Sequence, residues 1–353
     1  MKRIALVCQY KLTPNRIGGM DYFFWAFQKE CNKLDVLVDW YFPNQLNFGE
    51  YEGFNIIPSE NPEAKIIENC ATKKIEYTTI MTHFVELCTP FFKELKKHSD
   101  AQIIVVDHNA RPLNGYPLKK KIIKRIKGWL YSKYIDTFIG VSEYSKNEIL
   151  KDFGTNVLKK VKVIYNGVVI SDIRKREARS YFKPRFIVVS HLTEAKGIQD
   201  LITAVFSMQE SNKTDLIIDV FGDGPYKQNL QSLCEQLKVE QHFNFKGSSG
   251  EIKKILADYD YLIHPTYMEC FSLTILESLA ANVPVITTPV GGNEEVIVNG
   301  ENGIIVPVRD SNTLCKIIED LYIGKLQITS DSRELIEKEY SVEKMVQNYI
   351  SLL

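Results

Sequence analysis

The chain has 353 residues, 44% hydrophobic and 25% charged, a composition suited to a soluble globular protein with room for two domains of ordinary size. Its 44 basic residues are balanced by 44 acidic ones, which argues against a general nucleic-acid binder, because neutralising phosphates shows as a basic excess. Seven scattered cysteines without any C-x-x-C spacing suggest neither a zinc site nor a disulfide framework, and fit a reducing cytoplasm.

The N-terminal apolar run, residues 4–8, is too short for a signal peptide or a membrane span, and no other run approaches spanning length. A soluble or peripheral protein is expected. Short apolar runs then alternate with amphipathic segments along the whole chain. In the first half strands are predicted at 4–8, 36–41, 103–107, 137–141 and 161–165. In the second half they are predicted at 186–190, 216–221, 243–245, 259–263, 285–287 and 304–306. Helix-period patterns lie between them, such as Ile198, Leu201, Ile202, Val205 and Met208 on one face. This alternation implies parallel sheets covered on both sides, and two such series imply two Rossmann-like, doubly wound α/β units. The predicted division is 1–170, 171–340 and a terminal helix over 341–353. The pattern lets that helix pack on either domain. The charged, strand-free segment 169–185, ending near Pro184, suits an exposed interdomain connection.

Several positions along this frame have chemical interest. Gly18-Gly19 precedes an amphipathic helix, where backbone amides make an anion site, although a pair of glycines also serves a plain turn. His108 ends the run IIVVDH, and a polar group at a strand C-terminus faces the expected ligand crevice. From Leu118 to Tyr134 there are seven basic residues and no acid, interleaved with Ile122, Ile123, Ile126, Trp129, Leu130 and Tyr131. Such a helix either lies on an anionic membrane surface or packs its apolar stripe on the sheet with its lysines solvated. Lys196 sits between a strand and a helix, where it is either a surface lysine or a phosphate partner. Asp258-Tyr259-Asp260 matches D-x-D, but at a helix-to-strand junction the aspartates are expected to cap and flank rather than hold a cation. Glu269 follows an apolar run in a loop, and Glu277 lies in the next helix. Thr274 and Glu277 also fit the T-x-x-E capping box, which needs no ligand.

Taken together, these residues resemble a family-4-type retaining glycosyltransferase (glycosyltransferases group 1) of the GT-B fold. Glu269 and Glu277 stand at the two ends of the E-x7-E signature inside HPTYMECFSLTILESLAANVPVITT. Flanking matches, in the expected order, are NGV at 166–168, Lys196-Gly197, GDGP at 222–225, FKG at 245–247 and GGNEEVI at 291–297.

The resemblance implies two Rossmann-like domains facing a central cleft, the first holding the acceptor and the second the nucleotide sugar. Glu277 would bind the ribose hydroxyls and Glu269 the hydroxyls of the donor sugar. Backbone amides around Cys270, Phe271, Ser272, Leu273 and Thr274 would face the pyrophosphate and sugar. Lys196 would neutralise the departing diphosphate, with Gly19 approaching it from the first domain and His108 near the donor sugar. Gly247 and Ser248 would border the base, and Glu295 matches the acidic residue after the Gly-Gly turn.

Two departures from the family pattern stand out. His191 replaces a usual arginine, and an imidazole lacks the fixed charge and fork of a guanidinium. Glu-Cys-Phe-Ser at 269–272 replaces Glu-Gly-Phe-Gly, so this loop must tolerate two Cβ atoms.

The reading is a retaining transferase with Glu269, Lys196 and His108 as catalytic residues. It moves a hexose or N-acetylhexosamine from a nucleoside diphosphate, UDP favoured over GDP, to a saccharide or lipid-linked hydroxyl. Neither metal nor cofactor is expected. The expected setting is the cytoplasm, at the inner membrane face if the 118–134 segment meets lipid. The other readings are a nucleotide-sugar epimerase of the same fold and a non-catalytic nucleotide-sugar binder. A Rossmann dehydrogenase is disfavoured, because no G-x-G-x-x-G follows either first strand.

Overall fold

The computed structural model describes residues 2–13, 17–46, 48–209 and 213–353, and divides into two compact units, Met1–Gly167 with Val342–Leu353, and Val168–Ser341.

In unit 1 the strands are β1 (Lys2–Cys8), β2 (Val36–Phe42), β3 (Asn55–Pro58), β4 (Thr79–His83), β5 (Gln102–Asp107), β6 (Thr137–Gly140) and β7 (Val161–Val163). They form one parallel sheet in the order β3-β2-β1-β4-β5-β6-β7. The helices α1 (Gly19–Lys33), α2 (Pro62–Thr72), α3 (Pro90–His98), α4 (Leu118–Tyr131) and α5 (Glu143–Phe153) connect them. Strands buried on both faces read as unbroken apolar runs, which is why 4–8 and 103–107 were legible. Two strands have no counterpart among the predicted ones. The edge strand β3 is only four residues long and ends in Pro58. The central strand β4, TIMTH, buries Thr79, Thr82 and His83, so it gives no apolar run.

Unit 2 repeats the plan. Its strands β8 (Phe186–Val189), β9 (Ile218–Phe221), β10 (Phe243–Gly247), β11 (Tyr261–His264), β12 (Val285–Thr287) and β13 (Gly303–Ile305) form a parallel sheet ordered β10-β9-β8-β11-β12-β13. The helices here are α6 (Ile198–Ser207), α7 (Lys227–Leu237), the single turn α8 (Ile252–Ile255), α9 (Leu273–Ala280), α10 (Ser311–Tyr322) and α11 (Arg333–Glu339). The predicted helix face closes over the sheet: Ile198, Leu201, Ile202, Val205 and Met208 join Val188, Val220 and Ile263 in one core. The last helix, α12 (Val342–Ile350), belongs to unit 1, where Tyr349 packs 5.0 Å from the Phe23 ring of α1.

The segment expected as an exposed connection is instead strapped onto unit 2. Arg176 donates to the Ala257 carbonyl (2.7 Å) and Asp260 (2.5 Å), and Arg179 donates to the carbonyls of Asn282 and Ile328 (3.1 and 2.7 Å). Its charge therefore serves buried carbonyls and carboxylates. The same contacts explain D-x-D: Asp260 also accepts the amides of Ser180 and Arg185, and Asp258 pairs with Arg174. Both aspartates are engaged by the segment.

Candidate functional site

In each sheet the strand order reverses once, between β1 and β4 and between β8 and β11. The carboxyl ends of strands at such a switch point form the crevice where open α/β sheets bind ligands.

In unit 2 the chain leaves β8 through Ser190–Gly197 and leaves β11 through Pro265–Ser272, so these loops meet at the switch point. Gly197 makes the meeting feasible. It has φ +69°, and a Cβ there would lie 1.9 Å from the Pro265 carbonyl oxygen. The Tyr267 amide then donates to the Ala195 carbonyl at 2.7 Å. From the other side Gly291, at φ +61°, presses on the Glu269 backbone, where a Cβ would lie 2.3 Å from the carbonyl oxygen.

This clamp brings Lys196 Nζ to 2.7 Å from Glu269 Oε2. Burial alone would raise the Glu269 carboxyl. The hydrogen bond from His264 and the Lys196 charge outweigh it and hold the group at about 2. The Glu269 carboxylate is thus ionised at neutral pH. His264 Nε2 stands 3.4 Å from the same carboxylate oxygen and 3.5 Å from Ser272 Oγ, and burial lowers the imidazole below its ordinary value.

Helix α9 starts at Leu273 with Ser272 as its N-cap residue, so Thr274 lies inside the first turn and the T-x-x-E capping box is not formed. The Ser272 hydroxyl points to His264 instead of capping an amide. First-turn amides have no carbonyl partner within a helix, so those of Leu273 and Thr274 offer donors and the positive end of the dipole. One turn on, Glu277 is pushed up to about 7 by burial, with Lys253 offsetting part of the effect. A carboxyl so desolvated is suited to accept hydroxyl donors from a ligand that replaces its lost water.

The loop's departure from glycine needs no strain. Cys270, Phe271 and Ser272 are all buried, Ser272 has φ −80°, and Phe271 packs 5.7 Å from the Tyr340 ring. His191 is exposed, and among the described residues its ring makes no hydrogen bond. Gly247 ends β10 at φ +74° and accepts from the Gly222 amide at 2.8 Å, while Ser248 follows on the surface. The structure therefore joins Lys196, Glu269, Cys270, Phe271, Ser272, Leu273 and Thr274 around one loop and helix start, with Glu277 one turn deeper. His191, Gly247 and Ser248 lie on the neighbouring strand ends without touching that pair.

In unit 1 the switch point holds His83, at the end of β4, and His108, just after β5. His83 Nδ1 lies 3.0 Å from His108 Nε2. His83 Nε2 is buried without a partner among the described residues. An orphaned acceptor costs less than an orphaned N–H, so the assigned tautomer has His83 Nδ1–H donating, which leaves the proton of His108 on Nδ1. Burial lowers His83 well below its ordinary value and lowers His108 to about 4, so both rings are neutral. Phe84, at φ +59°, stacks on His108 at 4.4 Å. Such a backbone for a bulky residue marks a constrained site. At the start of α1 the Gly18 amide is already taken by the Asp21 carboxylate (2.7 Å), so Gly19 rather than Gly18 keeps an open amide.

Beside these rings a pocket of about 330 Å³ is lined by Phe84, Asn109, Arg111, Tyr116, Lys120 and Lys124 among others. Arg111 is locked by Asp107 (2.6 Å) and Asp152 (2.9 Å).

Sequence reasoning missed His83 and His264. The signal was available for His264, a polar residue ending the apolar run YLIH, the same logic that picked His108. For His83 it was hidden with strand β4.

Residues 169–341 match the model of glycosyl transferases group 1. An uncharacterized glycosyltransferase of Methanocaldococcus jannaschii is 27% identical over 62% of this chain and 61% of its own length. A putative colanic acid biosynthesis glycosyltransferase of Escherichia coli is 26% identical over 55% of this chain and 51% of its own. The matched stretches thus span half to three fifths of these relatives. The crystal structure of Anabaena HepE in complex with UDP superposes with a TM-score of 0.77 at 17% identity, covering 100% of this chain and 99% of that one.

Proposed function

We infer that this chain, whose residues 169–341 belong to glycosyl transferases group 1 and whose two units carry the GT-B fold, is a retaining glycosyltransferase of cell-surface polysaccharide or glycoconjugate assembly. The donor is a UDP-sugar carrying a hexose or N-acetylhexosamine. The choice of UDP draws on the UDP complex of the structurally similar HepE. The acceptor is a hydroxyl of a saccharide or lipid-linked saccharide, and the pocket beside His108 in unit 1 is where it would bind. The observation that carries the reading is the Lys196–Glu269 pair set against the start of α9 at the β8/β11 switch point.

In this reading the diphosphate sits on the first-turn amides of α9, with the ribose hydroxyls on Glu277 and the sugar hydroxyls on Glu269. Lys196, paired with Glu269 while no ligand is bound, turns to the β-phosphate as its oxygen takes up charge. Gly247 and Ser248 border the base. The family resemblance also assigns Gly19 and His108 to the donor. The acceptor oxygen attacks C1 on the face from which the diphosphate departs, and the acceptor proton passes to a leaving phosphate oxygen. The C1–O bond to phosphate breaks as the new C1–O bond forms, and no covalent nucleophile or metal is needed. The protein contributes orientation and charge stabilisation.

The test is incubation with UDP-sugars and a lipid-extracted acceptor pool, following UDP release and the anomeric proton signal of the product. The reading requires acceptor-dependent UDP release, retained anomeric configuration and full activity in EDTA. Interconversion of sugars in donor-only incubation would identify an epimerase. An inverted product, or activity that EDTA removes and manganese restores, would contradict the reading.

A further inference from the structure

Helix α4 is built against the usual rule for a helix on a sheet. Its only fully buried residue is Gly128, and its large apolar side chains face water: Leu118 is 73% exposed, Trp129 77%, Ile122 and Ile126 each 51%. Ile123 and Leu130 are also exposed. At about 100° per residue, these six fall on one arc of about 140°, interrupted by Lys119 alone. The groups that hold the helix to unit 1 lie on the opposite side. A Cβ on Gly128 would come within 2.3 Å of the Phe153 carbonyl oxygen, so α4 rests directly on α5 through bare backbone. Lys124 reaches inward to Asp152 at 2.9 Å. The sheet therefore does not claim the apolar stripe, and the alternative that the sequence left open, a stripe packed on the core, is ruled out.

Lys121 and Arg125 border one edge of the arc, Lys120 and Lys127 the other, and α4 contains no acidic residue. A second copy docked through this face would set lysines against lysines, since a two-fold interface presents the same patch twice. A surface that is apolar inside and negatively charged at its rim satisfies both features.

We propose that α4 lies in the plane of an anionic lipid bilayer, with Leu118, Ile122, Ile126 and Trp129 inserted among the acyl chains and the flanking lysines at the phosphate level. This rests on, and sharpens, the reading that the acceptor is lipid-linked: the bilayer would present it beside the pocket that Lys120 and Lys124 also line. It goes beyond charge attraction, because it assigns an inserted apolar face.

The experiment is flotation of the full chain with vesicles of phosphatidylcholine alone or containing phosphatidylglycerol, at low salt and at about 0.5 M salt. Trp129 fluorescence and its quenching by acyl-brominated lipid are read alongside, with Trp129→Phe as the spectral control. Retention on anionic vesicles, a blue shift and quenching are expected. Leu118→Ser with Trp129→Ser should lower retention by roughly tenfold while thermal unfolding and donor hydrolysis stay unchanged. No retention, or retention lost in salt with neither shift nor quenching, would overturn the proposal. So would concentration-dependent dimerisation that the same variant abolishes. Donor hydrolysis separates the two readings: an active protein that ignores vesicles refutes the docking alone, and a vesicle-bound protein inert with every donor refutes the transferase alone.

Discussion

At the scale of single residues, the site holds two glutamates in opposite states. Glu269 is kept ionised by His264 and Lys196, while Glu277 is lifted to about 7 by burial. A ribose donating two hydroxyls selects the carboxylate form of Glu277. Nucleotide affinity should therefore be full above pH 7 and weaken as pH falls through it, by up to about tenfold per unit. Titration calorimetry from pH 6 to 8 checks this, and Glu277→Gln should bind more weakly with no slope. In the unliganded protein the sign is opposite. This group's contribution to stability is greatest below the ordinary carboxyl range and is lost as pH rises through about 7. His108 and His83 are already neutral, so no inflection near the ordinary histidine value is expected from them. For Lys196→Ala we expect turnover to fall by roughly 10²–10³-fold with little change in donor binding, because its charge is needed most as the diphosphate departs. Equal losses in kcat and affinity in steady-state kinetics would place the contact in the ground state.

Among the elements, the clamp of the β8 and β11 loops decides whether Lys196 and Glu269 meet. Gly197→Ala adds both a left-handed residue and a Cβ 1.9 Å from a carbonyl oxygen. Thermal unfolding should show a loss of about 1–3 kcal/mol, and nucleotide binding should fail with it. Gly250→Ala, where a Cβ meets nothing within 4 Å, should change stability by less than about 0.5 kcal/mol. Legibility at this scale followed burial and polarity. Strands such as β1 and β5 were plain because both of their faces are apolar, whereas β4 was hidden because the central strand carries Thr79, Thr82 and His83 into the core. The amphipathic pattern of α4 was visible, but periodicity gives a stripe without saying which way it faces. The exposure of Leu118 and Trp129 and the inward Gly128–Phe153 and Lys124–Asp152 contacts show that it faces out. Glu269 and Lys196 received their roles from the family resemblance rather than from their loops, and their pairing rests on Gly197 and Gly291, whose backbone roles no local pattern reveals.

For the whole molecule, a net charge of zero conceals an uneven distribution, with one helix entirely basic among its charged residues and acids gathered elsewhere. Each unit is a parallel sheet with one switch point, and the Lys196–Glu269 pair and the start of α9 lie at that of unit 2. That makes the central claim testable without an acceptor. A ligand bound only by the native state at about 100 times its Kd adds about 2.7 kcal/mol of stability. The decisive measurement is a thermal-shift titration with nucleotides and nucleotide sugars on the wild-type chain and on Glu277→Ala. UDP and a UDP-sugar should raise the wild-type Tm by several degrees, and the variant should lose most of the shift. No shift with any nucleotide, or an equal shift in the variant, would contradict the central claim.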